Sequence, residues 1–372
     1  MQNKILLGQN KISVALQERS YDIVIGKNAL ENLVGFLATK TYSKIFIITD
    51  ENVAKLHLPR LKAIIPNAEI VITEAGEQTK SFSFLEKICE EILAKGIDRK
   101  SLIIAFGGGV IGDLSGFIAA ILLRGIDFVQ IPTTLLSCVD SSVGGKTAIN
   151  SKSGKNLIGS FYQPKLVICD LNFLATLPLR EIKAGYGEVV KYGLIRDLEF
   201  FEFLEQNHQR IFSLDYEVMA KIITRSCQIK AEIVAADERE SGDRALLNFG
   251  HTFGHTFETE AKYSNELLHG EAVALGMLMA AKMSQDFGWI SAADFTRILA
   301  HFKDCDLVTN PNQIRQNWNE ENLTNHLFHD KKHENKNLTF ILLKKIGTAV
   351  VEKNVELKKF KKVLQEFLIA KQ

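Results

Sequence analysis

The sequence predicts an α/β protein with an N-terminal Rossmann-like domain, built on a mostly parallel sheet, and an all-α C-terminal domain. Three observations support this fold class. Short apolar runs rich in β-branched residues alternate with helical patterns through the first half of the chain. Those runs are apolar on both faces, as in strands of a parallel sheet that helices cover. After Leu177 and Pro178, strand-like runs nearly vanish and helical spacing dominates.

The elements of the first half follow in order. Alternating apolar residues at 12–16 and 21–25 predict two opening strands. Apolar residues spaced through 83–95 predict a helix, which Gly96 ends. The other predicted strands are KIFIIT (44–49), EIVIT (69–73), SLIIAF (101–106), FVQI (128–131) and LVIC (166–169).

The second half is predicted to be helical. Apolar residues recur at helical spacing at Phe200, Phe203 and Leu204, and the run LTFILL (338–343) is the exception that indicates a strand. A chain of 372 residues is long for a single core. We therefore predict an α/β domain at 1–178 and a helical domain at 179–372.

Composition limits the classes of partner and compartment. A formal net charge of +1 gives no electrostatic reason to expect nucleic acid or an anionic membrane. Five cysteines without a CxxC pair indicate reduced thiols in the cytoplasm rather than disulfides or a thiolate zinc site. No signal peptide is expected in MQNKILLGQNK, and no apolar run has the length of a transmembrane helix.

A glycine-rich turn follows the strand at 101–106. Gly107, Gly109 and Gly112 satisfy the GxGxxG pattern and open a helix, which favours a dinucleotide pyrophosphate at the helix amino terminus. A tight strand-to-helix turn without a ligand explains the same pattern. The usual acidic residue at the end of the next strand is missing. Asp50, at the end of an earlier strand, is a candidate for binding a ribose or for capping a helix.

Several cations lie in glycine-rich segments. The run SSVGGKT (141–147) resembles the end of a P-loop, but Asp140 occupies the position of the first glycine, which disfavours ATP hydrolysis. Lys146, Lys155 and Arg124 are candidates for binding a phosphate or carboxylate. Solvated lysines on surface loops are the alternative interpretation.

A set of nitrogen and oxygen ligands in the second half indicates a metal site. His251 and His255 are separated by four residues and would share one face of a helix, and His269 follows. Glu188 lies on an earlier helical pattern with Lys191 on the same face. This donor set suits zinc or a similar ion in a catalytic site. Spacing alone favours His251 and His255 as the ligand pair.

Longer segments carry a resemblance to a known family. The sequence resembles the sugar phosphate cyclases and, within that family, the branch that forms 3-dehydroquinate. Small departures are Thr256, where alanine is common, and a missing glycine after DKK. The matching segments are GEQTK (76–80), GGGVIGDLSGF (107–117), LLRG (122–125), IPTTLLSCVDSSVGGKTAIN (131–150), GKNLIGSFYQP (154–164), LATLP (174–178), AGYGEVVKYG (184–193), KAEIVAADERESGDRALLNFGHTFGHTFE (230–258), LLHGEAVALGM (267–277) and DKK (330–332).

The resemblance implies a specific site. Glu188, His251 and His269 would bind Zn²⁺ or Co²⁺, and His255 would face the substrate instead. The implied NAD site comprises Asp50, Glu77, Lys80, Gly108, Gly109, Val110, Asp113, Thr133, Thr134, Lys146, Lys155, Phe173 and Thr176. The implied catalytic and substrate-contacting residues are Arg124, Asp140, Lys146, Asn156, Lys191, Lys230, Arg244, Asn248, His255 and Lys331.

The implied reaction converts 3-deoxy-D-arabino-heptulosonate 7-phosphate to 3-dehydroquinate and phosphate, as a lyase that recycles its NAD and works as a homodimer. A metal-dependent polyol dehydrogenase is a rival, but its metal set resembles one aspartate and three histidines, unlike a set containing Glu188. A related cyclase of sugar phosphates without a carboxylate is another. Lys230, Arg244 and His255 together suit an acidic substrate better.

Overall fold

The computed structural model describes residues 9–240, 242–329 and 337–369. These residues form two compact units. The first unit comprises 1–178 with 214–239, and the second comprises 179–213 with 240–372. The predicted division at residue 178 kept 214–239 with the second domain, whereas their contacts group them with the first. The assignment of NAD binding to one domain and metal and substrate binding to the other stays a prediction.

The first unit is built on a seven-stranded sheet in the described part of the chain, with strand order β1-β2-β9-β6-β5-β3-β4. All neighbours pair in parallel except β1 with β2, which confirms the predicted mostly parallel sheet. The strands are β1 Asn10–Val14, β2 Tyr21–Gly26, β3 Ile45–Asp50, β4 Glu69–Thr73, β5 Leu102–Gly107, β6 Asp127–Pro132 and β9 Leu166–Asp170; β7 Lys146–Ser151 and β8 Gly154–Phe161 form a separate hairpin.

Helices cover both faces of this sheet. Alternate residues of one strand enter different cores: Ile47 belongs to one apolar cluster, and Phe46 and Ile48 belong to the other. This two-sided burial explains why the strands read as continuous apolar runs rather than as alternating ones. The helices of the first unit are α1 Asn32–Leu37, α2 Glu51–Ile64, α3 Phe82–Ala94, α4 Gly109–Ile121 and α7 Tyr216–Ala236.

The chain reverses its direction of travel across the sheet between β3 and β5. These two strands are hydrogen-bonded neighbours, with β4 on the outer side of β3 and β6 on the outer side of β5. Ligands of open α/β sheets bind beyond the carboxyl ends of the strands at such a switch point. The segments that follow β3, β4, β5 and β6 all leave the sheet at this edge.

The second unit is mainly helical. One correction applies to the predicted all-α domain, because β10 and β11 pair as an antiparallel hairpin there. The strand predicted at 338–343 is confirmed as part of β10. The elements are α5 Leu179–Arg196, α6 Leu198–Phe212, α8 His251–Glu260, α9 His269–Asp286, α10 Ala292–Asp304, α11 Glu320–His329, β10 Asn337–Lys345, β11 Thr348–Glu356 and α12 Leu357–Ile369.

Two features of the helices bear on the site. Helix α5 is buried over almost its whole length, and it nevertheless carries a glutamate and a lysine in its buried middle. Helix α9 is buried over most of its length in the same way. Within the described residues, no helix combines the length and apolar character required to cross a membrane.

Candidate active site

Three side chains from three helices of the second unit converge. Glu188 on α5, His251 at the start of α8 and His269 at the start of α9 each offer a ligand atom, and these atoms lie within 4.8 Å of one another. The Oε1 atom of Glu188 lies 3.7 Å from Nε2 of His251 and 3.5 Å from Nε2 of His269. The other oxygen, Oε2, forms an ion pair with Lys191, and both side chains are buried. One carboxylate thus faces two imidazoles and one ammonium.

The second nitrogen of each imidazole has its own partner. Nδ1 of His251 lies 3.3 Å from the carbonyl oxygen of Phe249. Nδ1 of His269 lies 3.2 Å from both carboxylate oxygens of Glu258. An Nδ1–H that donates to a carbonyl or carboxylate leaves the Nε2 lone pair for a metal. In both histidines, Nε2 is the nitrogen that lies beside Glu188.

Close helix packing brings the three residues together. A Cβ atom built on Gly187 of α5 would lie 2.7 Å from the carbonyl oxygen of Gly270 on α9, and one built on Gly270 would overlap the carbonyl of Ala184. Helices approach this closely only where a side chain is missing from the contact. The glycines of AGYGE and HGE therefore set the distance between Glu188 and His269.

The electrostatics of the cluster favour a bound cation. Burial, together with the nearby ammonium of Lys191, lowers the pKa of His251 to about 3, so its imidazole stays neutral at physiological pH. Burial acts in the same direction on His269, but the carboxylates of Glu258 and Glu188 outweigh it and raise the pKa of His269 to about 10. This negative field holds a second proton, on Nε2 of His269, and a divalent cation beside Glu188 would take the place of that proton.

Glu258 is a site residue that the sequence analysis missed. Within the described residues, the second group with metal-ligand spacing comprises His255, Glu258 and His269. It shares His269 with the first group, but through Nδ1 rather than Nε2. Glu258 is buried and lies seven residues after His251 and three after His255, on the same helical face. That spacing was the available signal for it.

The geometry also separates the two histidines that sequence spacing paired. His251 and His255 fall in different groups, so the HxxxH spacing does not make them joint ligands of one ion among the described residues. His255 is more than a third exposed and lies 3.9 Å from a carboxylate oxygen of Glu258. This arrangement agrees with the ligand set implied by the resemblance, which moves His255 away from the metal.

Replacing Glu258 by alanine is expected to weaken metal binding about 10–100-fold, because His269 loses the carboxylate that fixes its ring and tautomer. Glu258→Gln keeps an oxygen acceptor for Nδ1 and should lose less. The measurement is a competition titration of the apoprotein with a zinc chelator dye. Glu260→Ala on the same helix serves as the control, because this partly buried carboxylate pairs with His326 and Arg315 rather than with a histidine of the cluster. Equal affinities for Glu258→Ala and the wild type would contradict the role of Glu258.

Two further predicted residues of the second unit, Arg244 and Asn248, lie in the segment before α8. Arg244 is 1% exposed, in the short helix Asp243–Asn248. The side-chain amide of Asn248 donates to Glu240 at 2.8 Å, and Glu240 has a left-handed backbone with φ of 59°. Lys331 lies outside the described residues, so its predicted contact stays a prediction.

In the first unit, the predicted cofactor residues collect at the carboxyl edge of the sheet. Gly107 ends β5 and Gly108 caps α4, whose amino terminus lies beside the switch point. A Cβ atom on Gly108 would approach Thr134 to 3.2 Å, and one on Gly109 would approach Ser141 to 3.1 Å. Side chains at 108 and 109 would thus crowd the helix end that an anionic pyrophosphate needs.

Other predicted cofactor residues have structural partners of their own. Oδ1 of Asp50 accepts hydrogen bonds from the amides of Asn52 and Val53, so Asp50 caps α2. Phe173 is buried, and its ring packs 5.3 Å from that of Phe106. Its side chain is therefore part of the core, which the resemblance did not indicate. Thr176 is exposed, and its hydroxyl lies 2.8 Å from Nε2 of His57.

The same edge carries a buried cation between polar groups. Nζ of Lys80 donates to Asp113 at 2.7 Å and to Asn156 at 2.5 Å. Thr133, which follows β6, is buried and donates its amide to the carbonyl of Gly107. The predicted cofactor residues Lys80 and Asp113 and the predicted substrate contact Asn156 are thus joined by one ammonium group.

Asp140 and Lys230 form a partly buried ion pair. Nζ of Lys230 donates to Oδ1 of Asp140 at 2.7 Å and to its carbonyl oxygen at 2.5 Å. The two residues are ninety positions apart in sequence, and α7 brings Lys230 to the first unit. Lys146 begins β7 with an exposed side chain, and Arg124 is exposed with φ of 69° in the turn before Gly125.

The residues present fit both implied ligands. A buried carboxylate facing two Nε2 atoms is an N/O donor set suited to zinc or cobalt. A glycine-lined helix amino terminus at a topological switch point suits a dinucleotide.

Comparisons with known proteins agree with this geometry. The 2-deoxy-scyllo-inosose synthase solved with carbaglucose-6-phosphate, NAD⁺ and Co²⁺ matches at a TM-score of 0.87 and 26% identity, covering 96% of this chain and 100% of that one. The 2-epi-5-epi-valiolone synthase of Streptomyces hygroscopicus subsp. jinggangensis 5008, with NAD⁺ and Zn²⁺ bound, matches at a TM-score of 0.85 and 28% identity, covering 95% and 98%.

Sequence relatives and family models give a narrower result. The 3-dehydroquinate synthase of Bartonella quintana (strain Toulouse) is 49% identical over 356 residues, which cover 92% of this chain and 94% of that protein. The model of the 3-dehydroquinate synthase N-terminal domain matches residues 70–184, and that of the C-terminal domain matches residues 185–333. Together the two models cover most of the chain. The chain belongs to the 3-dehydroquinate synthase family.

Proposed function

We propose that this enzyme converts 3-deoxy-D-arabino-heptulosonate 7-phosphate to 3-dehydroquinate and phosphate, with a divalent metal at Glu188, His251 and His269 and NAD at the carboxyl edge of the sheet. The observation that carries the metal assignment is the buried carboxylate of Glu188, whose Oε1 faces both Nε2 atoms. Membership of the family carries the reaction. The enzyme is a carbon–oxygen lyase.

The chemistry balances without a net oxidant. A secondary alcohol of the substrate is oxidised to a ketone, which acidifies the neighbouring carbon so that a proton and phosphate are lost. The ketone is then reduced again, and ring opening with aldol closure makes the carbocycle. Bound NAD supplies reversible hydride transfer, and bound Zn²⁺ or Co²⁺ supplies Lewis acidity toward the substrate hydroxyls.

The second unit supplies charge and proton transfer. Lys191 is held beside Glu188 in a buried position, where its ammonium stabilises the negative charge that develops on substrate oxygens. His255 is partly exposed and can move a proton to or from the substrate. Asn248 and Arg244 orient and bind the substrate as hydrogen-bond donors.

The first unit supplies anion binding. Lys146, Lys155 and Arg124 bind phosphate or carboxylate groups, at the substrate or at the cofactor. Lys230 contacts the carboxylate end of the substrate, and its ion-pair partner Asp140 holds the ammonium in place. This number of cations suits a phosphorylated sugar acid better than an uncharged polyol.

The wider setting belongs to the same proposal. We infer a homodimer, because the family resemblance implies it, and a location in the cytoplasm, because the five cysteines lack a CxxC pair. We also infer no nucleic-acid or membrane partner, since a net charge of +1 gives no electrostatic reason to expect one. Size-exclusion chromatography with light scattering tests the oligomeric state, since a monomer of 41.7 kDa and its dimer are readily resolved.

The decisive experiment follows phosphate release from the zinc-loaded protein with substoichiometric NAD. Many phosphates for each NAD, no standing NADH and loss of activity with a chelator are expected. A metal-loaded, NAD-binding protein that releases no phosphate from this substrate would refute the assignment. Net NADH formation with a polyol would indicate a dehydrogenase instead, and cyclisation of another sugar phosphate would indicate a related cyclase.

A further inference from the structure

The β7–β8 hairpin contains an irregularity at the predicted substrate contact. Ile149 pairs with Ile158 and Ser151 pairs with Gly154, so Asn150 alone faces three residues of β8, at 155–157. Such a bulge bends a strand and redirects its side chains, often next to a site. The middle residue of the three is Asn156, whose φ of 57° lies in the left-handed region.

Asn150 fastens this bulge from the opposite strand. Its Oδ1 accepts a hydrogen bond from the backbone amide of Asn156 at 2.9 Å, and its Nδ2 donates to Oε1 of Glu77 at 2.8 Å. Its own backbone amide donates to the carbonyl of Lys80 at 2.7 Å. One half-buried side chain therefore joins the bulge to the segment 77–80, which follows β4.

The side chain of Asn156 is held by the same segment. Its Oδ1 accepts from Nζ of Lys80 at 2.5 Å, and the same ammonium donates to Asp113 at 2.7 Å. The Lys80 side chain is only 4% exposed, so it forms a fixed link between the two acceptors. With Oδ1 engaged in this way, the amide group of Asn156 offers its N–H donors to a substrate oxygen.

We propose that Asn150 is a positioning residue for substrate binding. By holding the main chain of Asn156 and the carboxylate of Glu77 at once, it keeps the bulge in the conformation in which the Asn156 amide is presented beside Lys80 and Asp113. The inference rests on the proposed function, in which Asn156 contacts the substrate and Glu77, Lys80 and Asp113 line the NAD site. This proposal gives a role to Asn150, which belongs to neither the implied NAD site nor the implied substrate site.

The bonds of Asn150 are not required for the hairpin itself. Four residue pairs, from Lys146 with Phe161 to Ile149 with Ile158, join β7 and β8 on the other side of the bulge. Loss of the Asn150 side chain should therefore leave the hairpin in place and release the bulge. The left-handed backbone of Asn156 would then lack its local restraint.

The test is a double-mutant cycle of Asn150→Ala and Asn156→Ala, with kcat and KM measured for the heptulosonate phosphate. Asn150→Ala alone is expected to lower kcat/KM about 10-fold, mainly through KM. In the Asn156→Ala background the same change should cost less than about 2-fold, because there is no amide left to position. A purely structural role would give the same loss in both backgrounds.

Controls separate folding from positioning. Lys152→Ala lies in the exposed turn of the same hairpin and should leave kcat/KM unchanged. Asn150→Asp keeps the acceptor for the Asn156 amide but places a like charge against Glu77, and it provides a second variant if Asn150→Ala does not fold. Thermal melting of each variant completes the set.

Calorimetric titration with NAD gives a readout that does not depend on turnover. Asn150→Ala should weaken NAD binding about 3-fold or more, because Glu77 and Lys80 lose their common anchor. If the wild type is active and Asn150→Ala has unaltered kcat/KM and NAD affinity, the inference about Asn150 is wrong, while the proposed function stands. A wild type that does not turn over the substrate would instead refute the proposed function, and the NAD titration would then decide the inference.

Discussion

Replacing Glu188 by glutamine is expected to lower phosphate release about 10³-fold or more and to abolish tight zinc binding. The amide has the same shape as the carboxylate but no charge. Its loss leaves the buried ammonium of Lys191 without its ion-pair partner and removes the anionic oxygen that faces His251 and His269. Electrostatic repulsion between the Lys191 ammonium and the metal ion then adds to the loss of a ligand.

The measurements are metal content after dialysis, zinc affinity by chelator competition and phosphate release at saturating NAD. Glu199→Gln, at an exposed glutamate of α6, is the matched control and should behave as the wild type. A Glu188→Gln protein that retains stoichiometric zinc and near-normal phosphate release would show that the metal lies elsewhere.

Replacing Gly270 by alanine is expected to lower both the stability and the metal affinity of the second unit. The new methyl group would overlap the carbonyl of Ala184, so α9 must move away from α5. Overpacking of this kind costs about 3 kcal/mol, or roughly 5–10 °C in Tm. Because His269 begins α9 and Glu188 lies on α5, the same displacement should weaken zinc binding about 100-fold.

Gly288→Ala provides a control that separates backbone strain from steric overlap. Gly288 has φ of +73° but open space around its Cβ position, so alanine there strains only the backbone. It should lower Tm slightly and leave zinc affinity unchanged. If Gly270→Ala binds zinc as tightly as Gly288→Ala does, the spacing of α5 and α9 does not determine the metal site.

The fold class was predictable because burial on both faces leaves a direct pattern in sequence. The runs at 44–49 and 101–106 correspond to β3 and β5, and the helical character of the second half was equally clear. Strand order was not predictable, since the neighbours of β9 are β2 and β6, both distant in sequence. Long-range pairing depends on tertiary packing, which local patterns do not report.

The candidate site was predictable only in part, for similar reasons. Spacing on one helix suggested His251 with His255, whereas the geometry groups His251 with residues of two other helices. The resemblance joined Glu188 and His269 with His251 as one ligand set, but it did not indicate Glu258 or Asn150, whose proposed roles are to hold other residues in place. Phe173, which the resemblance names as a cofactor residue, has its side chain in the core, and its predicted cofactor contact stays a prediction.

The return of α7 to the first unit has a consequence for attempts to recombine such enzymes. The chain passes between the units after 178, after 213 and after 239, so the first unit is discontinuous in sequence. A chimera that joined residues 1–178 to the second half of a relative would pair Asp140 with a helix from the relative in place of the one that carries Lys230. The module to exchange therefore consists of two segments, 179–213 and the chain from 240 onward. Helix α7, which lies between them in sequence, should be retained with the first unit.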